Sequence, residues 1–242
     1  MLGLPDAVSA LLFDLDGVLT GTAALHKEAW KQTFDEFLVK HGIPDEPFTD
    51  HDYAAYVDGK PRADGVRSFL AARTISLPEG EPDDGPDAMT VNGLGNRKNE
   101  LVLRIIEDRG VAPYEGSRRY LEAARDNGLK IGVVTSSANG AKVLDAAGLT
   151  PFVQARIDGI TLREQNLRGK PAPDSFLAGA RALGVEARHA AVFEDALAGV
   201  EAGRAGEFGY VVGVNRANQA KELTEHGADV VVDDLAELLE EA

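Results

Sequence analysis

Short apolar runs, each closed by turn residues and followed by a helical stretch, recur through the second half of the chain at residues 130–134, 190–193, 210–214 and 229–232. That alternation predicts a parallel sheet covered by helices. Residues 10–13 form a further run, apolar throughout, as suits a strand buried on both faces at the sheet centre. Between this run and the next, residues 22–109 show helical periodicity and no convincing strand. Trp30, Phe34, Phe37 and Leu38 recur there at three- and four-residue spacings, the pattern of an amphipathic helix with one buried face. Residues 77–90 carry three prolines, two glycines and five acids, a loop composition that suits a mobile lid and a passive crossing equally. The whole pattern predicts an α/β fold. Residues 1–21 and 110–242 make a doubly wound, Rossmann-like parallel sheet core with the active site, and residues 22–109 an inserted helical cap domain.

The length of 242 residues leaves room for such a core and an inserted second domain. With 25 Lys and Arg against 40 Asp and Glu, the formal net charge is −15, so no broad basic face for nucleic acid is expected. An anionic substrate must therefore meet locally concentrated positive charge. No cysteine is present, which excludes disulfides, thiolate metal sites and thiol nucleophiles and is consistent with a reducing, cytoplasmic compartment. Pro5, Asp6, Asp14 and Asp16 break the first apolar stretch, so neither a signal peptide nor a membrane span is expected. No internal repeat is visible, and nothing in the sequence points to an obligate protein partner.

Four motifs could carry chemistry. The first runs Phe13-Asp14-Leu15-Asp16-Gly17, an apolar strand ending in two carboxylates. In an extended chain positions i and i+2 share a face, so Asp14 and Asp16 would point together into the cleft at the carboxyl edge of the sheet. Two carboxylates so close require a cation or a shared proton, and both suit phosphoryl transfer; an acidic turn bending at Asp16-Gly17 explains the same letters. The second, Val134-Thr135-Ser136-Ser137, brings hydroxyls to a strand end before a helix that begins near Gly140, where phosphate oxygens bind readily, although taken alone these letters are better explained by helix capping at Ser137 or Asn139. The third, Gly169-Lys170-Pro171-Ala172-Pro173, holds Lys170 out of helical conformation, either as a site cation or as a surface lysine. The fourth, Phe193-Glu194-Asp195, ends another strand in acids that could complete a Mg²⁺ site or, for Asp195, cap a helix. All four fall in order at the ends of successive predicted strands, a coincidence that isolated turns and caps do not explain.

From Leu11 to about Asp233 these motifs resemble the haloacid dehalogenase superfamily, and within it the β-phosphoglucomutase group. The resemblance implies that Asp14 is phosphorylated and that Asp16 is the general acid and base. It implies that Thr135 and Lys170 stabilise the transferring phosphoryl group, and that Mg²⁺ is held by Asp14, Glu194, Asp195 and the backbone carbonyl of Asp16. It also implies that His26 couples the general acid to cap closure, and that Gly59, Arg62, Lys98, Ser136, Ser137 and Asn139 contact a phosphorylated sugar. Two positions depart from the group: Gly21 stands where an Asp is usual, and Ala138 where a member carries a lysine. Glycine at the first loosens the hinge, and alanine at the second leaves more of the distal charge to Arg62. The expected reaction converts β-glucose 1-phosphate to glucose 6-phosphate through a 1,6-bisphosphate. The same core motifs also suit a sugar-phosphate phosphatase, in which water attacks the aspartyl-phosphate, and a phospho-acceptor signalling module.

Overall fold

The computed structural model describes residues 2–43 and 46–239. The chain divides into two compact units, Met1–Gly21 with Val111–Ala242, and Thr22–Gly110.

The first unit is built on six parallel strands: β1 (Ala10–Phe13), β2 (Lys130–Val134), β3 (Ala155–Ile157), β4 (Ala190–Glu194), β5 (Tyr210–Val214) and β6 (Val230–Val232). Their order in the sheet is β3-β2-β1-β4-β5-β6. The central position expected for β1 follows, and so does its register, with Phe13 paired to Val133 on one side and to Phe193 on the other. β3 escapes the sequence pattern because it is three residues long, and its middle residue is the exposed Arg156.

Right-handed crossovers that lead in opposite directions from β1 must lie on opposite faces, so the chain reverses its winding at the carboxyl end of β1. Alternation along β1 supplies both faces with apolar side chains. Leu12 joins a cluster with Phe176, Val200 and Leu223, whereas Phe13 stacks on Phe193 at 4.4 Å and meets Tyr120 edge-on at 6.2 Å. Phe176, Val200, Leu223 and Tyr120 come from the helices of this unit. Numbering helices along the whole chain, they are α5 (Glu115–Asp126), α6 (Gly140–Ala146), α7 (Gly159–Glu164), α8 (Asp174–Leu183), α9 (Leu197–Ala205) and α10 (Ala220–Glu225).

The second unit holds α1 (Thr22–Lys40), the single turn α2 (Asp50–Asp52) continuing into a π-helical turn at Tyr53–Val57, α3 (Arg62–Ala72) and α4 (Val91–Arg109). Trp30, Phe34, Phe37 and Leu38 are all buried, and Phe34 sits at the middle of the aromatic core, 5.0 Å from Trp30, 5.1 Å from Phe48 and 4.1 Å from Phe69. Thr49 and Asp52 form a reciprocal capping box at α2, and Arg73 reaches Asp52 at 2.9 Å. Residues 77–90 are irregular, as their composition predicts, but they lie fastened along α4. Asn92 donates to the carbonyls of Glu79 and Gly80, Asn96 to those of Pro82 and Asp84, and Arg97 to that of Pro86. These bonds favour the passive crossing over the lid.

Candidate active site

β1 ends at Phe13, and the chain then bends instead of continuing extended. The amide of Asp16 donates to Asp14 Oδ2 at 2.9 Å, and Gly17 adopts a φ of +106° that favours glycine. The sequence reading of an extended i, i+2 pair is therefore corrected: a turn, not a pleat, brings the second carboxylate round. Thr135, one residue past β2, donates its hydroxyl to Asp16 Oδ2 at 3.2 Å. The Asp14 and Asp16 carboxylates are thus held by two different neighbours.

Lys170 corrects the expectation of a residue at a strand end. It lies in the turn between α7 and α8, where the Lys170–Pro171 peptide bond is cis. From there its ammonium reaches Asp14 Oδ1 and Glu194 Oε1 at 2.6 Å each and the carbonyl of Val134 at 3.1 Å, while Phe176 covers it at 4.7 Å. Three acceptors match the three protons of an ammonium. With only 2% of its surface exposed, Lys170 is no surface lysine.

Glu194 is fully buried, and its second oxygen accepts from the amide of Ala196 at 2.8 Å. Its side chain fits only because Gly199 of α9 has no Cβ, which would stand 1.8 Å from Glu194 Oε1. Asp195 does not cap α9, whose N-cap is Ala196 with no side-chain bond. Its carboxylate lies instead where a Cβ on Gly17 would be, 1.9 Å from Oδ2. Of the two caps the sequence offers for the hydroxyl motif, Asn139 at the N-cap of α6 makes no side-chain cap bond, whereas Ser137 accepts an amide in the turn just before the helix. Ser137 turns inward within its own loop, its amide donating to Thr135 Oγ1 at 3.0 Å and its hydroxyl accepting from the amide of Asn139 at 3.2 Å. Ser136 lies half-buried in the same loop.

Charge balance decides the electrostatics. Asp14 and Glu194 are buried around one ammonium, and Asp195 is buried against Gly17. Burial pushes the Asp14 carboxyl up to about 8, Glu194 and Asp16 add to the rise, and Lys170 opposes it. Burial also works against the charge on Lys170, but the attraction of Asp14 and Glu194 outweighs it and raises its pKa above the usual lysine value. The ammonium therefore stays charged.

No group of three acids among the described residues is arranged as a ready metal cage. Magnesium does not need one, because it keeps several waters and takes one or two carboxylates. The donor set is all oxygen, and the surplus of buried negative charge calls for a cation. The residues present fit Mg²⁺, with Asp14 and Asp195 as carboxylates beside the Asp16–Gly17 turn.

Within the helical unit, His26 lies on α1, Gly59 in a turn at φ +69°, Arg62 at the start of α3 and Lys98 on α4. Lys98 Nζ is 2.8 Å from His26 Nδ1 and 5.0 Å from the Trp30 ring, with 4% of its surface exposed. Arg62 packs across Gly95 of α4, where a Cβ would stand 3.1 Å from its Cγ. Gly21 has room for a side chain, since a Cβ there would meet the Tyr114 hydroxyl at 3.8 Å. Two residues beside the site, Arg216 and Gln219, were not legible in the sequence. They follow β5, whose run ends in no acid or hydroxyl pair, and only the sheet brings that loop to Gly17 and Asp195.

Residues 8–206 match the family of haloacid dehalogenase-like hydrolases. A protein from Mycobacterium bovis named β-phosphoglucomutase is 57% identical over 99% of this chain and 94% of its own. A validoxylamine A 7′-phosphate phosphatase from Streptomyces hygroscopicus is 30% identical over 94% of each chain. Among solved structures, a β-phosphoglucomutase from Clostridium difficile superimposes with a TM-score of 0.75 at 25% identity, covering 96% of this chain and 93% of its own.

Proposed function

This chain belongs to the haloacid dehalogenase-like hydrolase family, and from that premise we propose that it is a β-phosphoglucomutase, converting β-glucose 1-phosphate to glucose 6-phosphate through a 1,6-bisphosphate. The observation that carries the reading is the 57% identity to the Mycobacterium bovis protein over nearly the whole of both chains. Family membership also sets aside the phospho-acceptor signalling module.

In the proposed mechanism the Asp14 carboxylate attacks phosphorus in line, an O–P bond to Asp14 forms and the bond to the leaving alcohol breaks. Asp16 gives that alcohol its proton, then takes one from the sugar hydroxyl that attacks the aspartyl-phosphate. Lys170 and Thr135 stabilise the equatorial oxygens. Members of the family generally use Mg²⁺, which when bound supplies the charge that lets an anionic phosphate approach an anionic carboxylate; Asp14, Glu194, Asp195 and the Asp16 carbonyl are the proposed holders. Contacts to the rest of the sugar phosphate fall, within this proposal, to His26, Gly59, Arg62, Lys98, Ser136, Ser137 and Asn139.

A second reading, a sugar-phosphate phosphatase, is favoured by the likeness to the validoxylamine phosphate phosphatase. Supplying β-glucose 1-phosphate, Mg²⁺ and a trace of glucose 1,6-bisphosphate separates the two. Glucose 6-phosphate well in excess of free phosphate is the expected result. Free phosphate as the main product, with no stimulation by the bisphosphate, makes the phosphatase the better reading.

A further inference from the structure

We infer that the loop after β5 is a positioning device for the cation site, in which Arg216 fixes the Gly17 peptide and Gln219 fixes the Asp195 peptide, so that one loop sets the spacing of the two acidic segments. The inference rests on the phosphoryl-transfer reading above.

The Arg216 guanidinium donates through Nε to the carbonyl of Gly17 at 2.8 Å and through a terminal nitrogen to the carbonyl of Asp233 at 2.8 Å. It stacks on the ring of Tyr114, 3.8 Å from the centroid. Three residues on, Gln219 donates its amide to the carbonyl of Asp195 at 2.9 Å. The loop is itself anchored. The Asn215 amide donates to Val232 at 2.8 Å, its side chain donates to Asp233 Oδ1 at 2.8 Å, and its side-chain oxygen accepts from the Gln219 amide at 2.8 Å. A path of hydrogen bonds therefore runs from the end of β6, through Asn215, Arg216 and Gln219, to the backbones of Gly17 and Asp195.

Those two backbones matter because their residues are pressed together. Asp195 Oδ2 occupies the space a Cβ on Gly17 would take, so the carboxylate lies directly against the Gly17 backbone. Gly17 is also the residue after Asp16, and its turn is closed by its own amide donating to the Thr20 carbonyl at 2.8 Å. A planar guanidinium held by two carbonyls and an aromatic face has little freedom, which makes it a stiffer prop than a lysine. The side-chain bonds of Arg216 and Gln219 described above all go to backbone carbonyls. Both residues act through the groups they hold.

The test uses the full chain and Mg²⁺ alone as probe, comparing Arg216→Lys and Gln219→Ala with the parent. Mg²⁺ affinity is read by calorimetry and by the Mg²⁺-dependent rise in melting temperature. Steady-state kinetics on β-glucose 1-phosphate supply kcat and KM at saturating metal. Loss of an outer-shell partner is expected to weaken Mg²⁺ binding by roughly 10- to 100-fold, with the larger loss for Arg216→Lys. KM for the sugar phosphate should stay at the parent value, a split that a general loss of folding does not produce. If Arg216→Lys fails to fold, Gln219→Ala decides, because its amide bond lies at the rim of the loop. Parent-like Mg²⁺ affinity in a folded Gln219→Ala variant overturns the inference while leaving the mechanism standing. A parent that binds no Mg²⁺ overturns both.

Discussion

The two units keep their charges in different places. In the α/β unit, buried charge gathers where Asp14 and Glu194, at the ends of strands, both meet the Lys170 ammonium with almost no access to water. In the helical unit the centre is aromatic, around Phe34 and Phe69, acids such as Glu28 and Glu79 are paired at its rim with Arg109 and Arg67, and the buried charges Asp52 and Lys98 stand apart from each other. The difference teaches where each kind of stability is useful. Rim ion pairs contribute little because water competes for them, whereas a buried pair costs desolvation and survives only with every donor and acceptor matched. An aromatic core gives a rigid helical body at no such cost. Groups that must react have to be held in the costly way.

The comparison is broken most severely by Asp14→Asn. We expect turnover and covalent labelling by phosphate to fall by about 10⁴-fold or more, the scale seen when a nucleophile is removed, with the fold retained by circular dichroism. Appreciable labelling of that variant removes Asp14 from its role. Asp16→Asn should cost about 10²- to 10⁴-fold on β-glucose 1-phosphate, the usual worth of general acid–base catalysis, but far less on an activated aryl phosphate that needs no protonation. Equal losses on both substrates count against Asp16 as the acid.

Two core substitutions sharpen the contrast in stability. Lys170→Met leaves the Asp14 and Glu194 carboxylates buried without their cation and should cost about 3–5 kcal/mol in denaturant unfolding. Phe34→Ala should cost about 3–5 kcal/mol as well, by opening a cavity among three aromatic rings. Lowering the pH should restore stability to the first variant, since protonation removes the stranded charge, and leave the second deficient. Equal responses to pH would show that the ionic cluster behaves as ordinary packing.

The smallest effect concerns proton linkage, which runs in opposite directions in the two units. Burial raises the Asp14 pKa to about 8 in the metal-free chain, so its contribution to stability is fully present below about 3.8 and is lost as pH rises through 8. Burial also works to raise Asp52, but hydrogen bonds from Thr49 and the charge of Arg73 outweigh it and hold its carboxyl below the usual range. Its contribution is therefore present above the ordinary value of 3.8 and is lost as pH falls through the depressed one. In chelator, melting temperature should drop from pH 6 to pH 9 in the parent and not in Asp14→Asn. Asp52→Asn should cost about 1–2 kcal/mol at neutral pH, the worth of a lost helix cap, and progressively less in acid. A parent curve flat across the alkaline range would show that Asp14 does not carry the proton.

Much of this protein was legible in the sequence because its signals are local. Five of the six strands carry a short apolar run, and the acids that end the runs at β1 and β4 mark the carboxyl edge of the sheet without any knowledge of the sheet. The aromatic stripe of α1 likewise declares its buried face through spacing alone. What lay outside that reach was decided by distance along the chain. Lys170 could be read as a surface lysine until the fold carried it 156 residues back to Asp14, and the Asp14–Asp16 pair looked extended until Gly17 turned it against Asp195. Arg216 gives no local sign at all, because its partners at Gly17, Tyr114 and Asp233 meet only when the strands close side by side. Residue type and spacing therefore determined which groups could react and which faces would be buried. Only tertiary structure decided which acid meets which base, since that depends on desolvation and on contacts between residues that the sequence holds far apart.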